Sequence, residues 1–182
     1  MASQGPYSPG STFVESALGS VVWDSPDNVK VDDTNYATAS SAVSGFTKIL
    51  KAYNFGFSIP SDSRISGIKA EVKKKAETEN VTDSWVILTG GSNLSTGAEW
   101  PAVEQYVTYG GETELWGASY APEYINDPRF GFRCGALLGI NATASINHIR
   151  LTVYYTSTKY VVYDDPDMQY VEFENQYVIY DD

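Results

Sequence analysis

The residues that could do chemistry are few and scattered. The only histidine, His148, sits in "HIRLTVYY", and the only cysteine, Cys134, sits in "FGFRCGALL". A nucleophilic triad or a zinc site needs clustered partners at recognised spacing, which one His and one Cys do not supply. Glycine-rich phosphate loops and the nucleophile elbow are absent from the sequence. The 23 acidic residues offer many carboxylate pairs. A glycosidase, however, requires two that face each other across about 5 to 10 Å, and abundance alone does not arrange that. The chain therefore reads as non-enzymatic and without a cofactor. Cys134 reads as a small buried apolar residue, the usual state of a free thiol.

Three other groups carry binding chemistry. "DDPDMQ" at 164–169 sets Asp164, Asp165 and Asp167 close together, a hard-oxygen cluster that invites a divalent cation. It lacks the glycine and terminal glutamate that complete an EF-hand loop, and an Asp-Pro turn between strands accounts for the same residues better. The aromatics Trp100, Tyr106, Tyr109, Trp116 and Tyr120 would form a platform for sugar rings if exposed, although packing and turns explain such residues more often. "KKK" at 73–75 reads as a solvated strand end that discourages edge pairing, or as a docking point for an acidic neighbour.

Composition bounds the rest. A net charge of −11 repels phosphate backbones, so no nucleic-acid partner is expected. No apolar run reaches the roughly 18 residues of a membrane span, and "MASQGPYSPGSTF" lacks the charged and apolar regions of a signal peptide, so a cytoplasmic site of synthesis is expected. Without such a signal the sequons at Asn80, Asn93 and Asn141 read as turn and strand-end residues. Fourteen Tyr, seven Phe and four Trp with 15 Gly and eight Pro favour strands and turns.

The elements follow from periodicity. Ile68, Ala70 and Val72 alternate with Lys69, Glu71 and Lys73. Ile149, Leu151, Val153 and Tyr155 alternate with His148, Arg150, Thr152 and Tyr154. Period two with one apolar face predicts half-buried antiparallel strands. "SVVW" at 20–23, "YATAS", "SWVILTGG", "EQYVTYGG" and "RFGFRCGALL" are further short runs bounded by turn residues, and "APEYIND" predicts a helix of one or two turns. The expected fold is all-β: a two-sheet antiparallel β-sandwich, jelly-roll-like, over 20–157. An extended N-terminal arm precedes it over 1–19, and an acidic, Tyr-rich strand extension follows over 158–182. In that extension Tyr160–Tyr163, Tyr170–Phe173 and Tyr177–Tyr180 predict a meander of two or three strands, joined by "DDPDM" and "EN".

"SQGPYSPGS", "VVWDSPDNV", "YATAS", "LKAYNFGFSIPSDSRISGIKAEVKKKA", "VTDSWVILTGG", "YGGETELWG", "INDPRFGFR" and "INHIRLTVYYT" occur in that order between Ser3 and Thr156. This string resembles a family of small β-sandwich domains in tailed-phage virion proteins and prophage-like bacterial genes. The resemblance implies a structural subunit of a virion, a capsid decoration or appendage protein made in the host cytoplasm. Its expected partners are major capsid or appendage proteins and further copies of itself, with no membrane. Assembly would run through the extensions, by Tyr7, Phe13, Tyr160, Tyr163, Tyr170, Phe173, Tyr177 and Tyr180. The alternative is a carbohydrate-binding module whose partner is a glycan.

Overall fold

A computed structural model of the chain describes residues 1–77, 80–157, 172–173 and 176–177. Two five-stranded antiparallel sheets pack face to face. The first contains β1 (Ala2–Tyr7), β3 (Ala37–Ser41), β6 (Ser63–Ala76), β8 (Gln105–Gly110) and β10 (Ala142–Ser157). The second contains β2 (Ser11–Glu15), β4 (Gly45–Phe46), β5 (Ile49–Tyr53), β7 (Val81–Leu88) and β9 (Gly131–Leu138). From β5 onward successive strands change sheet. β10 lies between β6 and the pair β3 and β1, and β9 lies between β7 and the pair β4 and β5. Residues 93–99 touch β7 through single bridges at Asn93 and Glu99. This is the jelly-roll path, as the sequence predicts.

The alternating runs face as expected. Ile68, Ala70, Val72, Ile149, Leu151 and Val153 form the centre of the core, joined by Leu50, Val86, Leu88, Phe132, Ala136 and Leu138 from the other sheet. Cys134 also points inward, and burial pushes its thiol up to about 12. The helix is one turn, α1 (Pro122–Asn126), with Pro122 in its first turn, where the missing amide hydrogen is no loss. Asn80 and Asn141 hold positive φ at turns. Gly110, also at positive φ, lets the Trp116 ring come so close that a Cβ would lie 2.7 Å from its Nε1.

Three expectations are corrected. "SVVW" is not a strand: Val21 makes one bridge to Thr47. The N-terminal arm is not outside the sandwich, because β1 pairs with β10 (Ala2 opposite Tyr155) and β2 pairs with β5. Edge strands acquire their hydrogen bonds from a neighbour's free backbone, so a segment with no apolar period can still complete a sheet. Finally, "KKK" is not a solvated strand end. Lys74 follows the inward parity of Val72 and is 2% exposed. Lys73 is paired with Asp32 and Glu104, and Lys75 lies over the Tyr36 ring.

In the extension, β11 (Glu172–Phe173) pairs antiparallel with β12 (Gln176–Tyr177), as expected for strands flanking "EN". The remainder of the expected meander, with Tyr160, Tyr163, Tyr170, Tyr180 and the aspartates of "DDPDM", lies outside the described residues. Among the described residues no helix is long and apolar enough to cross a membrane.

Candidate functional site

The sugar platform read from the sequence is not a surface. Trp100, Tyr109, Trp116 and Tyr120 are buried, and only Tyr106 is half-exposed. Tyr109 takes the inward parity of β8. Trp116 plugs the sheet end and donates from Nε1 to the Ile68 carbonyl at 2.8 Å. Tyr120 packs edge-on to Phe130 and against Tyr124 beside α1. Trp100, Tyr109 and Trp116 bury their apolar faces with their polar tips hydrogen-bonded and Tyr120 by ring packing, so sequence alone could not separate core from platform here.

The outer face of the first sheet is built of charge in register. Across β8, β6 and β10 the rows are Tyr106–Lys73–His148 and Thr108–Glu71–Arg150. Glu71 accepts from Arg150 Nε at 3.1 Å and Nη2 at 3.0 Å, and pairs with Lys69 at 3.2 Å. Burial opposes its charge, but these two cations outweigh that and hold its carboxyl below the usual range. Arg150 also lies 4.0 Å from the Tyr106 ring centroid. Tyr106 donates to Asp32 at 3.0 Å and meets His148 Nδ1 at 2.7 Å, while Ser8 meets Nε2 at 2.8 Å. Because Tyr106 has one proton and gives it to Asp32, Nδ1 must donate, and in the neutral ring Nε2 then accepts from Ser8. Burial favours the same state and lowers the His148 pKa. Every charge named on this face has a partner within the molecule.

The outer face of the second sheet is different. Across β2, β5, β9 and β7 one row reads Phe13–Lys51–Arg133–Ile87, and the next ends in Gly135–Trp85. Phe46 stands opposite Leu137. Phe13 is 57% and Phe46 49% exposed, and Trp85, Ile87, Leu137 and Tyr53 are half-buried. Gly135 makes room for the indole: a Cβ there would sit 3.0 Å from Trp85 Cδ1. Arg133 donates from Nε to Glu15 at 2.7 Å. Lys51 lies 5.0 Å from the Tyr53 ring centroid, has no ion pair among the described residues, and burial pushes its pKa down.

Trp85 faces outward because of a β-bulge. The register shifts between Asp83 and Trp85, so Asp83 points into the core and Trp85 out of it, with Val86 and Leu88 again inward. Strict alternation would have put Trp85 on the same side as Asp83. A one-residue insertion leaves no mark in composition or period, which is why sequence reading overlooks Trp85 as an outward-facing ring.

Between the sheets the bulge aims Asp83 at Lys74. The ammonium lies 2.5 Å from Asp83 Oδ1 and 2.5 Å from Tyr109 Oη, Tyr109 donates to Asp83 Oδ2 at 2.6 Å, and Trp100 Nε1 donates to Oδ1 at 2.7 Å. Burial pushes Lys74 down and, with the Asp83 charge beside it, pushes the Tyr109 hydroxyl far up.

No family model and no curated protein sequence matches this chain. Among solved structures it is similar to the N-terminal cellulose-binding domain of a β-1,4-glucanase C from Cellulomonas fimi, at 14% identity and TM-score 0.36 over 70% of this chain and 82% of that one. It is also similar to TmCBM61, solved with β-1,4-galactotriose, at 13% identity and TM-score 0.36 over 81% and 90%. A third similarity is to CBM29_1, a family 29 carbohydrate binding module from Piromyces equi, at 14% identity and TM-score 0.29 over 82% and 89%. At such identities and TM-scores none of them carries an argument about this chain's ligand.

Proposed function

We propose that this chain is a non-catalytic β-sandwich binding module that takes carbohydrate on the outer face of its second sheet. The observation that carries this reading is Trp85, bulged outward over Gly135 on an open sheet face that also carries Arg133 and the unpaired Lys51. Sugar rings present apolar C–H faces and a rim of hydroxyls. A half-exposed indole offers the first a flat partner, and free N–H donors at its border suit the second. Among the described residues no hydrogen bond holds the Trp85 N–H, so the ring has a donor to give. A glycan array, followed by titration of the best oligosaccharides against tryptophan fluorescence, tests the reading. Binding weakened about tenfold or more in Trp85→Ala while thermal unfolding is unchanged supports it. No binding across the array, or binding indifferent to Trp85, overturns it.

A second reading, a virion structural subunit, is favoured by the N-terminal strands. β1 and β2 are edge strands of the two sheets and carry exposed Tyr7 and Phe13, two of the residues expected to meet neighbours. Many copies per purified particle, with Phe13 protected from solvent there, would support this reading. Absence from particles would overturn it.

A further inference from the structure

We propose that Lys74 and Asp83 join in a covalent amide, an isopeptide cross-link that ties β6 to β7 across the core. The amine lies 2.5 Å from Asp83 Oδ1. A nitrogen in contact with a carboxylate oxygen neighbours the carboxyl carbon, and bonds form from separations of about 3 to 3.5 Å. The other groups are placed as amide formation requires. Trp100 Nε1 points at Oδ1, the oxygen that carries negative charge when nitrogen adds to the carbon. Tyr109 Oη touches both the amine and Oδ2, so one hydroxyl links nucleophile and leaving oxygen. The site is dry: Lys74 is 2% and Asp83 7% exposed. Burial disfavours the Lys74 charge, and the low solvent access that favours a neutral amine also hinders hydrolysis of the product.

The step balances without an oxidant or co-reactant. A proton passes from the Lys74 ammonium through Tyr109 to Oδ2, giving amine and carboxylic acid. The Nζ lone pair then attacks Cγ, forming the C–N bond. A second Nζ proton crosses Tyr109 to Oδ2, the Cγ–Oδ2 bond breaks, and one water leaves. Tyr109 ends as it began. Stability alone does not account for this buried ion pair, since apolar side chains of similar volume commonly serve a core as well or better. The bulge that turns Asp83 inward is held from its far side by Ser95, which donates to the Asp83 carbonyl at 2.7 Å. The geometry is thus specifically built.

Intact-mass spectrometry of the full chain, folded at neutral pH and then fully denatured, reads the outcome. The expected mass is one water below that of the sequence, with tryptic peptides containing Lys74 and Asp83 joined. Tyr109→Phe keeps the ring and removes the relay, and its folded form is expected at the full sequence mass. Wild-type chain that folds yet keeps the full mass overturns the proposal. So does a water loss that persists in Lys74→Arg, because that dehydration lies elsewhere.

Discussion

The two outer faces of the sandwich use the same strand geometry to opposite ends. On the first sheet, Lys69, Glu71, Lys73, Arg150, Tyr106 and His148 spend their hydrogen bonds on one another and on Asp32, Glu104 and Ser8. On the second, Phe13, Phe46, Trp85 and Ile87 share a face with a lysine that has no ion pair among the described residues. A face rich in charge is therefore not a binding face by virtue of that charge. What distinguishes a recognition surface is capacity left over, and here that capacity belongs to the more apolar side.

The largest expected effect touches both faces. Deleting residues 1–15 removes β1 and β2, and with them Ser8 from His148 and Glu15 from Arg133. Differential scanning calorimetry should show the cooperative transition lost or lowered by well over 10 °C; an unchanged transition would restore the arm as a dispensable extension. Next is Glu71→Ala, which strands Arg150 and Lys69 and should destabilise by about 2 to 3 kcal/mol in urea titration without altering glycan binding. Trp85→Ala should do the reverse, weakening glycan binding about tenfold or more, some 1.4 kcal/mol, with little change in the urea midpoint.

Acid sharpens the contrast further. His148 is neutral in the fold with its pKa below the ordinary 6.5, so its contribution is complete above that value and is lost as pH falls toward the folded pKa. Glu71 and Asp32, also lowered, add a second loss below about 4.5. Thermal midpoints should fall between pH 7 and 5.5, and His148→Gln should flatten that first segment while leaving the second. The smallest effect is Phe13→Ser, which should change stability by no more than about 0.5 kcal/mol. Sedimentation velocity of that variant at high concentration should show less self-association than the wild type if the apolar face is sticky.

The parts of the fold legible in the sequence are those that obey period two under a one-sided core, β6 and β10 above all, with β7, β8 and β9 marked by their glycine boundaries. What escapes is set by partners distant in sequence. β1 exists because β10 has an unused edge, not because "ASQGPY" has a strand pattern. Lys74 is inside because Asp83, Tyr109 and Trp100 converge on it. For the candidate ligand face, Phe13 was legible as an exposed contact residue, but Trp85 was hidden by a bulge that inverts the parity of half a strand.

The pairing of β1 with β10 also sets how the sandwich would answer a pulling force. Ala2 stands opposite Tyr155, so the first strand enters and β10, the last strand of the two packed sheets, leaves side by side at the same end of the first sheet, separated by the roughly 5 Å of an antiparallel pair. Tension applied at those two points loads the ladder one rung at a time. It would peel β1 from β10 instead of shearing all the rungs together, and the sandwich would yield at low force from its N-terminal edge. The same closeness allows the fold to sit as a side branch within a longer chain, joined at one end only, with the open face of its second sheet left free.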